Sequence, residues 1–426
     1  MSEQSKRMAI VAGGGPAPGI NSVISAAAIR AMQAGTEVVG INDGFRWIME
    51  GDTDHVTPLT MELANRLHLR GGAFIGMARA NPTKNEKYLE AVVTSLLRLG
   101  VDRLVTIGGD DTATTSYRVT EQSKGRIRVA HVPKTIDNDL HLPLNANTFG
   151  YATAQHVGAG IIRDLMTDAL TTSRWYFVVG MGRTAGHLAL GMAKAAGATI
   201  ALIPEEFPER IKLKTLVDTL VGSIVKSLAN GVPYGVAVLA EGLVESIDPQ
   251  ELADAGAPEE RDAHGHLRMA EVDFAGIVKG KVQEALKKMK IKTTIVGKNV
   301  GYELRCVDPI PVDMEYCRNL GFYAAQYLEE GGSGALVAIE DGKFKPLMLV
   351  DLLDPKTGKM AVRRVDVASE GYKIARQFMT RLSKADFDDA QKLAKLAAAA
   401  GVGAEQLKSD YGYLTQWEPE PIKLLG

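Results

Sequence analysis

Cysteine is almost absent from this 426-residue chain, with Cys306 and Cys317 the only two. Two thiols exclude a disulfide scaffold and any multi-cysteine metal cluster, and they suit a reducing compartment. At their spacing they read as two buried thiols rather than a redox pair. Aromatic residues are sparse at 6%, and no excess of either charge exists, since 49 Lys and Arg face 51 Asp and Glu for a formal net charge of -2. Such a balance removes any global pull toward nucleic acid or anionic membrane, so neither partner is expected and any anion site has to be local. Long apolar runs are lacking as well. Gly, Pro or charge breaks each one well short of the roughly 20 residues of a membrane helix, and MSEQSKRMAIVAGGG has no continuous apolar leader segment. A soluble cytoplasmic protein is expected.

What the chain does have is glycine, 44 residues of it, in an otherwise ordinary globular composition. Short β-branched runs at 8–12, 38–41, 103–107, 127–132, 176–179, 199–203, 236–239 and 335–339 read as strands, and helix-length segments lie between them. In the segment Asn85–Leu99, Tyr88, Val92, Leu96 and Leu99 form one apolar stripe. Strand and helix in alternation predict an α/β protein of two lobes, each a mainly parallel sheet flanked by helices. The stretch Glu245–Val272, rich in Asp, Glu, Ala and Gly and without a period, reads as a surface insertion. The aromatics of YGYLTQWEPEPIKLLG at the end predict docking onto a lobe. The eight histidines are scattered and build no metal site; His264 and His266 fall in the insertion, and His131 reads as packed within a strand.

Open α/β sheets bind ligands at the carboxyl ends of their strands, and three such ends carry unusual residues. The first, Ala12-Gly13-Gly14-Gly15-Pro16-Ala17-Pro18-Gly19-Ile20-Asn21, precedes a helix expected from Ser22; its glycines let backbone N–H groups approach a phosphate. No Gly-Lys-Ser/Thr follows, so it is not a Walker A loop, and Pro18 breaks the dinucleotide fingerprint that an oxidoreductase reading would require. A tight strand-to-helix turn is the plain alternative. The second, Gly108-Gly109-Asp110-Asp111-Thr112, leads toward a helix expected from about Thr114. Its paired carboxylates suit Mg2+ held through one or two oxygens plus phosphate and water, although N-capping would account for one of them. The third, Pro133-Lys134-Thr135-Ile136-Asp137-Asn138-Asp139, gathers a cation, a hydroxyl and two carboxylates. Lys134 can neutralise phosphate charge, and Asp137 can accept a hydroxyl proton in phosphoryl transfer.

GGGPAPGIN, GGDDT and PKTIDND, followed by Gly180-Met181-Gly182-Arg183-Thr184-Ala185-Gly186, Ala240-Glu241-Gly242 and Gly301-Tyr302-Glu303-Leu304-Arg305, stand in the order seen in 6-phosphofructokinases. The resemblance spans roughly residues 8–340. It implies the phosphofructokinase fold with the active site in a cleft between two lobes. The phosphoryl-donor lobe is expected at 1–148 plus about 306–350. The fructose 6-phosphate lobe is expected at 149–305 plus about 351–426, with the surface insertion at 245–272. By the same resemblance Asp137 is the base toward the 1-hydroxyl of fructose 6-phosphate, Asp110 binds Mg2+, and Thr135 and Asp139 position the sugar and tune the base. Arg183 binds substrate or the transferring phosphoryl group, and Met181, Gly182 and Glu241 match sugar-binding positions. Arg174, nine residues before Arg183, matches an arginine that reaches a neighbouring subunit's site, which implies a homodimer or homotetramer. Tyr302 and Arg305 match the pair on the sugar's 6-phosphate, and Arg79 in GMARANP resembles an arginine that reaches the transferring phosphate. A further basic residue of the family has no clean counterpart, with Lys292 and Lys298 as candidates.

The donor is implied by two positions. ATP users resemble GGDG and PGTIDND, whereas the pyrophosphate group resembles GGDD and PKTIDND, and this chain has Asp111 and Lys134 there. A carboxylate about 4 Å from the α-phosphate of ATP would cost up to roughly 4 kcal/mol at an effective dielectric of 20. Lys134 instead offers charge to the terminal phosphate of pyrophosphate. Asn42, in GINDG, supplies no aromatic surface for adenine. The resemblance therefore implies reversible, Mg2+-dependent phosphoryl transfer from pyrophosphate, with Lys134, Arg183 and the Gly14–Gly15 backbone spreading the phosphoryl charge. An ATP-dependent enzyme is the alternative, and a non-catalytic regulatory subunit a second one, against which intact Asp110, Asp137 and Arg183 argue.

Overall fold

A computed structural model describes residues 7–256, 272–358 and 360–423. In chain order its strands are β1 (Arg7–Ala12), β2 (Glu37–Ile41), β3 (Val56–Pro58), β4 (Arg103–Gly108), β5 (Arg128–Pro133), β6 (Trp175–Gly180), β7 (Ile200–Leu202), β8 (Gly235–Ala240), β9 (Ile295–Val300), β10 (Ala335–Glu340) and β11 (Lys343–Met348). Each of the eight strands expected from sequence is present to within a residue at either end. The other three carry weak signals for physical reasons. β3 has three residues, β9 is polar in its middle at Lys298 and Asn299, and β11 contains Pro346, which only an edge strand tolerates.

The chain divides into two compact units, Met1–Ala154 with Tyr302–Arg363 and Gln155–Gly301 with Arg364–Gly426. One seam falls within the helix Tyr151–Thr172, where no change of composition marks it. Tyr302–Arg305, expected in the second lobe, is part of the first unit.

The first unit holds the sheet β11-β10-β5-β4-β1-β2-β3, parallel except for β3 and β11 at its two edges. Side chains alternate across it. Met8, Ile10, Val105, Ile107, Ala130 and Val132 pack on one face with the helices Ile20–Gln33 and Pro311–Glu329. Ala9, Val11, Leu104 and Val129 pack on the other with the helix Glu86–Arg98. That helix is capped by the Asn85 side chain, and it buries Leu89 and Val93 beside Val92 and Leu96, leaving Tyr88 exposed. The expected stripe was thus one residue out of phase on one side, because the sheet takes a wider apolar face than a single i, i+4 row. His131 lies on β5 as expected, wholly buried, with Thr106 Oγ1 2.9 Å from its Nδ1. Burial pushes its pKa down to about 3, so the ring is neutral.

The second unit holds the parallel sheet β7-β8-β6-β9. Trp175, Phe177, Ala237 and Leu239 pack there against the helices Leu213–Ala229, Phe274–Lys288 and Ala390–Ala400. Arg381 makes a buried ion pair with Glu206 at 2.6 Å, holding the segment before the last helices against the end of β7. The terminal aromatics dock as expected: Trp417 meets Phe207 edge to face at 5.3 Å. The insertion expected at 245–272 is only partly so. Ile247 and Leu252 are buried, and helices run through Leu243–Ser246 and Pro249–Asp254. Residues 257–271, with His264 and His266, lie outside the described residues. Of the thiols Cys317 is buried and Cys306 exposed, which corrects the expectation of two buried cysteines. Among the described residues no helix is long and apolar enough to cross a membrane.

Candidate active site

In the first unit β5, β4 and β1 are neighbours in register, Gly108 beside Pro133 and Ala12 beside Ile107. Adjacent strands lie about 4.8 Å apart, so the three unusual strand ends open side by side within roughly 10 Å. The chain order also reverses here. β2 follows β1 on one side while β4 lies on the other, which makes the gap between β1 and β4 a topological switch point. Motifs separated by more than a hundred residues are gathered by that strand order alone.

The glycine loop is built for close backbone approach. Gly13 N–H donates to Ile107 O at 2.9 Å, and a Cβ on Gly13 would lie 2.6 Å from Thr112 Oγ1, so a side chain there would collide with the next loop. Gly14 has φ +81°, a left-handed conformation that glycine adopts without strain. Its N–H donates to Ala78 O at 3.3 Å, which sets the adjoining Arg79, an exposed side chain, beside the loop. The helix after β1 starts at Ile20, earlier than Ser22.

After β4 the helix is Asp110–Ser123, four residues earlier than expected, with Gly109 in the cap position and no side-chain cap. Asp110 and Asp111 therefore occupy its first turn, where the N-terminal dipole favours negative charge. Both are partly exposed. Their oxygens form a hard donor set. No group of three or more His, Cys, Asp or Glu able to hold a metal occurs among the described residues. A cation here would complete its shell with phosphate oxygens and water, which is the usual pattern for Mg2+.

After β5, Lys134, Thr135, Asp137, Asn138 and Asp139 are all buried. Lys134 Nζ donates to Gly15 O at 2.6 Å. Burial lowers the pKa of this ammonium to about 8; Asp137, Asp139 and Asp110 oppose the shift and Arg305 adds to it. Those four groups, from the ends of β4 and β5 and from one short helix, thus converge on one lysine. The turn itself is tightly braced. Thr135 Oγ1 accepts from Asp137 N at 3.0 Å, Thr148 Oγ1 donates to Thr135 O at 2.7 Å, and Thr148 N donates to Asn138 Oδ1 at 3.0 Å.

Tyr302 and Arg305 sit on the short helix Tyr302–Arg305, with the guanidinium carbon 4.9 Å from the tyrosine ring centre. A Cβ on Gly15 would lie 3.5 Å from that same carbon. Arg305 is therefore beside the glycine loop of the first unit, together with Lys134.

In the second unit the ends of β6, β8 and β9 bring together Met181, Gly182, Arg183 and Glu241. Glu241 Oε1 accepts from Gly182 N at 2.9 Å and Arg183 N at 2.7 Å, which holds Arg183 in its left-handed conformation at φ +52°. Met181 N donates to Val300 O at 3.0 Å, and Met181 packs on Gly301. Arg174 is not in this group. It precedes β6 and so stands at the opposite end of a six-residue strand, about 20 Å away at 3.3 Å per residue, facing Asp168 at 3.8 Å. Of the two candidate lysines, Lys298 is exposed on β9 opposite Val178, and Lys292 lines a separate surface cavity with Ser173 and Thr294. Sequence reasoning did not single out Arg363, a buried arginine with no motif around it.

These strand-end loops have the backbone geometry and charge that suit small phosphates, and comparison narrows the class. A family model described as "Phosphofructokinase" matches residues 7–328. The pyrophosphate--fructose 6-phosphate 1-phosphotransferase of Thermotoga maritima is 48% identical over 416 residues, covering 97% of this chain and 99% of that one. A protein of the same name from Naegleria fowleri is 44% identical over 418 residues, 96% of each chain. The fold matches the pyrophosphate-dependent phosphofructokinase structure from Marinobacter aquaeolei with a TM-score of 0.65 at 16% identity, over 93% of this chain and 92% of that one. The chain belongs to the phosphofructokinase family.

Proposed function

We propose that this protein transfers a phosphoryl group reversibly from pyrophosphate to the 1-hydroxyl of fructose 6-phosphate, giving fructose 1,6-bisphosphate and phosphate. One observation carries the choice of donor: the buried Lys134 ammonium sits against Gly15 O, next to the loop that bears Asp110 and Asp111. An ammonium has three donors, and Gly15 takes one; a terminal phosphate takes the others. Asp111 in the first helical turn places negative charge where a nucleotide would bring its α-phosphate. The names of the two near full-length relatives support the same donor.

Asp137 removes the proton of the attacking 1-hydroxyl, whose oxygen forms the new bond to phosphorus as phosphate departs. Lys134, Arg183 and the glycine-loop amides spread the negative charge of the transferring phosphoryl group, and Arg79 adds positive charge beside that loop. Asp110, with Asp111, is the Mg2+ site, and the ion when bound neutralises phosphate charge. Met181, Gly182, Arg183 and Glu241 bind the sugar phosphate, with Glu241 also fixing the backbone of Gly182 and Arg183. Thr135 and Asp139 set the base, and Tyr302 and Arg305 take the 6-phosphate. Arg174 serves the site of a neighbouring subunit in a homodimer or homotetramer. In lobe terms the first unit supplies the donor residues together with Asp137, Tyr302 and Arg305, and the second supplies Met181, Gly182, Arg183 and Glu241 for the sugar phosphate.

Purified protein assayed with pyrophosphate and with ATP, each against fructose 6-phosphate with and without Mg2+, tests the reading. Pyrophosphate should support turnover and ATP should not; preference for ATP would overturn the donor assignment.

A further inference from the structure

Arg363 lies beyond the matched span of the family and has no role in the chemistry outlined above, yet it is buried against the turn that carries Asp137. Its Nε donates to Asn138 O at 3.1 Å and its Nη1 to Ala146 O at 3.1 Å, while Nη2 donates to Asn138 Oδ1. Its own N–H donates to Asp139 O at 2.7 Å, and the neighbouring pair Leu140 and Val362 forms an antiparallel bridge. One planar fork thus ties both ends of the loop 138–146, and the Arg363 backbone pairs with Asp139 next to it.

The turn needs such a tie. Asn138 is held at φ +57°, a left-handed conformation that an L-residue keeps only when local hydrogen bonds favour it. Asn138 Oδ1 is the hub, accepting from Thr148 N as well as from Arg363, and its amide donates to Asn147 Oδ1 at 2.8 Å. If Asn138 relaxed to negative φ, the backbone direction on either side would change, and the carboxyl groups of Asp137 and Asp139 with it. Arg363 is also the last residue of the first unit before the chain passes into the second.

We propose that Arg363 is a positioning residue for Asp137, supplied by the segment after the family's common span, and that its fork holds the 137–139 turn in its working geometry. The inference rests on the reading of Asp137 as the base. Mutating Arg363 to Met keeps length and removes the fork, and Arg363→Lys keeps the charge but cannot reach three acceptors in one plane. In R363M kcat should fall roughly 10- to 100-fold, as for a displaced catalytic group, with KM for both substrates nearly unchanged. R363K should recover little of that loss. Amide hydrogen exchange across 135–149 should speed up in R363M, while a distant core peptide such as 175–180 and the cooperative thermal transition stay in place.

Near-normal kcat in R363M, full recovery in R363K, or unchanged exchange across 135–149 would each overturn the proposal. If R363M has lost its cooperative transition altogether, Asn138→Ala, which removes the hub but leaves the arginine, must show the same loss of kcat with KM held; normal kcat there overturns it too. Failure of the underlying reading shows separately, as near-normal turnover in D137A, whereas the exchange measurement needs no substrate.

Discussion

The Lys134 ammonium reaches the carbonyl of Gly15 at 2.6 Å, so a side chain that follows β5 closes on the loop that follows β1, with β4 between them. This single bond joins the lysine proposed to select the donor to the backbone proposed to cradle it.

The pair Asp111 and Lys134 should therefore control donor choice together. In the double variant D111G/K134G, pyrophosphate kcat/KM is expected to fall at least about 100-fold, since a buried charge-assisted contact worth some 3 kcal/mol is removed. ATP should become a measurable donor. Steady-state rates with both donors check this, and a variant that keeps wild-type pyrophosphate use would remove Lys134 from the donor site.

A pH profile follows from the same lysine. Its pKa is lowered by burial to about 8 in the folded protein, so the charge that attracts pyrophosphate is lost as pH rises through that value. Free-enzyme kcat/KM for pyrophosphate should decline above pH about 8, and K134R, which keeps its charge, should lack that limb. The stability term has the opposite sign. The unfolded chain holds this proton up to pH about 10.5 and the folded one does not, so the lysine's contribution to stability grows between about 8 and 10.5. An identical alkaline limb in K134R would assign the limb to another group.

Asp137→Ala should lower kcat by at least the ~100-fold typical of a lost general base, with the fold intact. Mixing that variant with R174A offers a test of shared sites. If Arg174 serves a neighbouring subunit, reassorted dimers combine one intact Asp137 with one intact Arg174, and activity should return to up to about a quarter of wild type. No recovery after verified subunit exchange would place Arg174 outside the neighbour's site.

His131 makes an acid-stability prediction. Burial holds its pKa at about 3 against 6.5 when unfolded, so the unfolded chain gains a proton that the folded one refuses as pH drops below 6.5. Wild-type stability should lose about 1.6 kcal/mol between pH 6.5 and 5 from this residue alone. In H131Q that part of the pH dependence should vanish whatever the variant's absolute stability. Urea midpoints at the two pH values measure it.

Alternating β-branched runs and helical stretches made the eight principal strands legible, because those strands are mostly buried and mainly apolar. β3, β9 and β11 were not, since edge strands carry polar residues, proline or few residues without penalty. The helix after β4 was placed too late because Asp110 and Asp111 resemble a cap, whereas glycine occupies that position and the carboxylates fill the first turn. Cys306 was expected inside on composition, but its place after a one-turn helix exposes it.

Each loop's chemistry was fixed by residue types close in sequence: glycines at a strand end, paired aspartates, and a lysine three residues from Asp137. Those short-range patterns determined the family, and the proposed donor pair and base were read from them. Which loops meet was decided only by the strand order β5-β4-β1, which no local pattern encodes. The tertiary fold alone brought Arg305 to Gly15, set Arg174 at the far end of its strand, and placed Arg363 under Asn138 across 225 residues of chain. A guanidinium finds its acceptors by where the backbone has already gone, so its partners become readable only once the sheet is assembled.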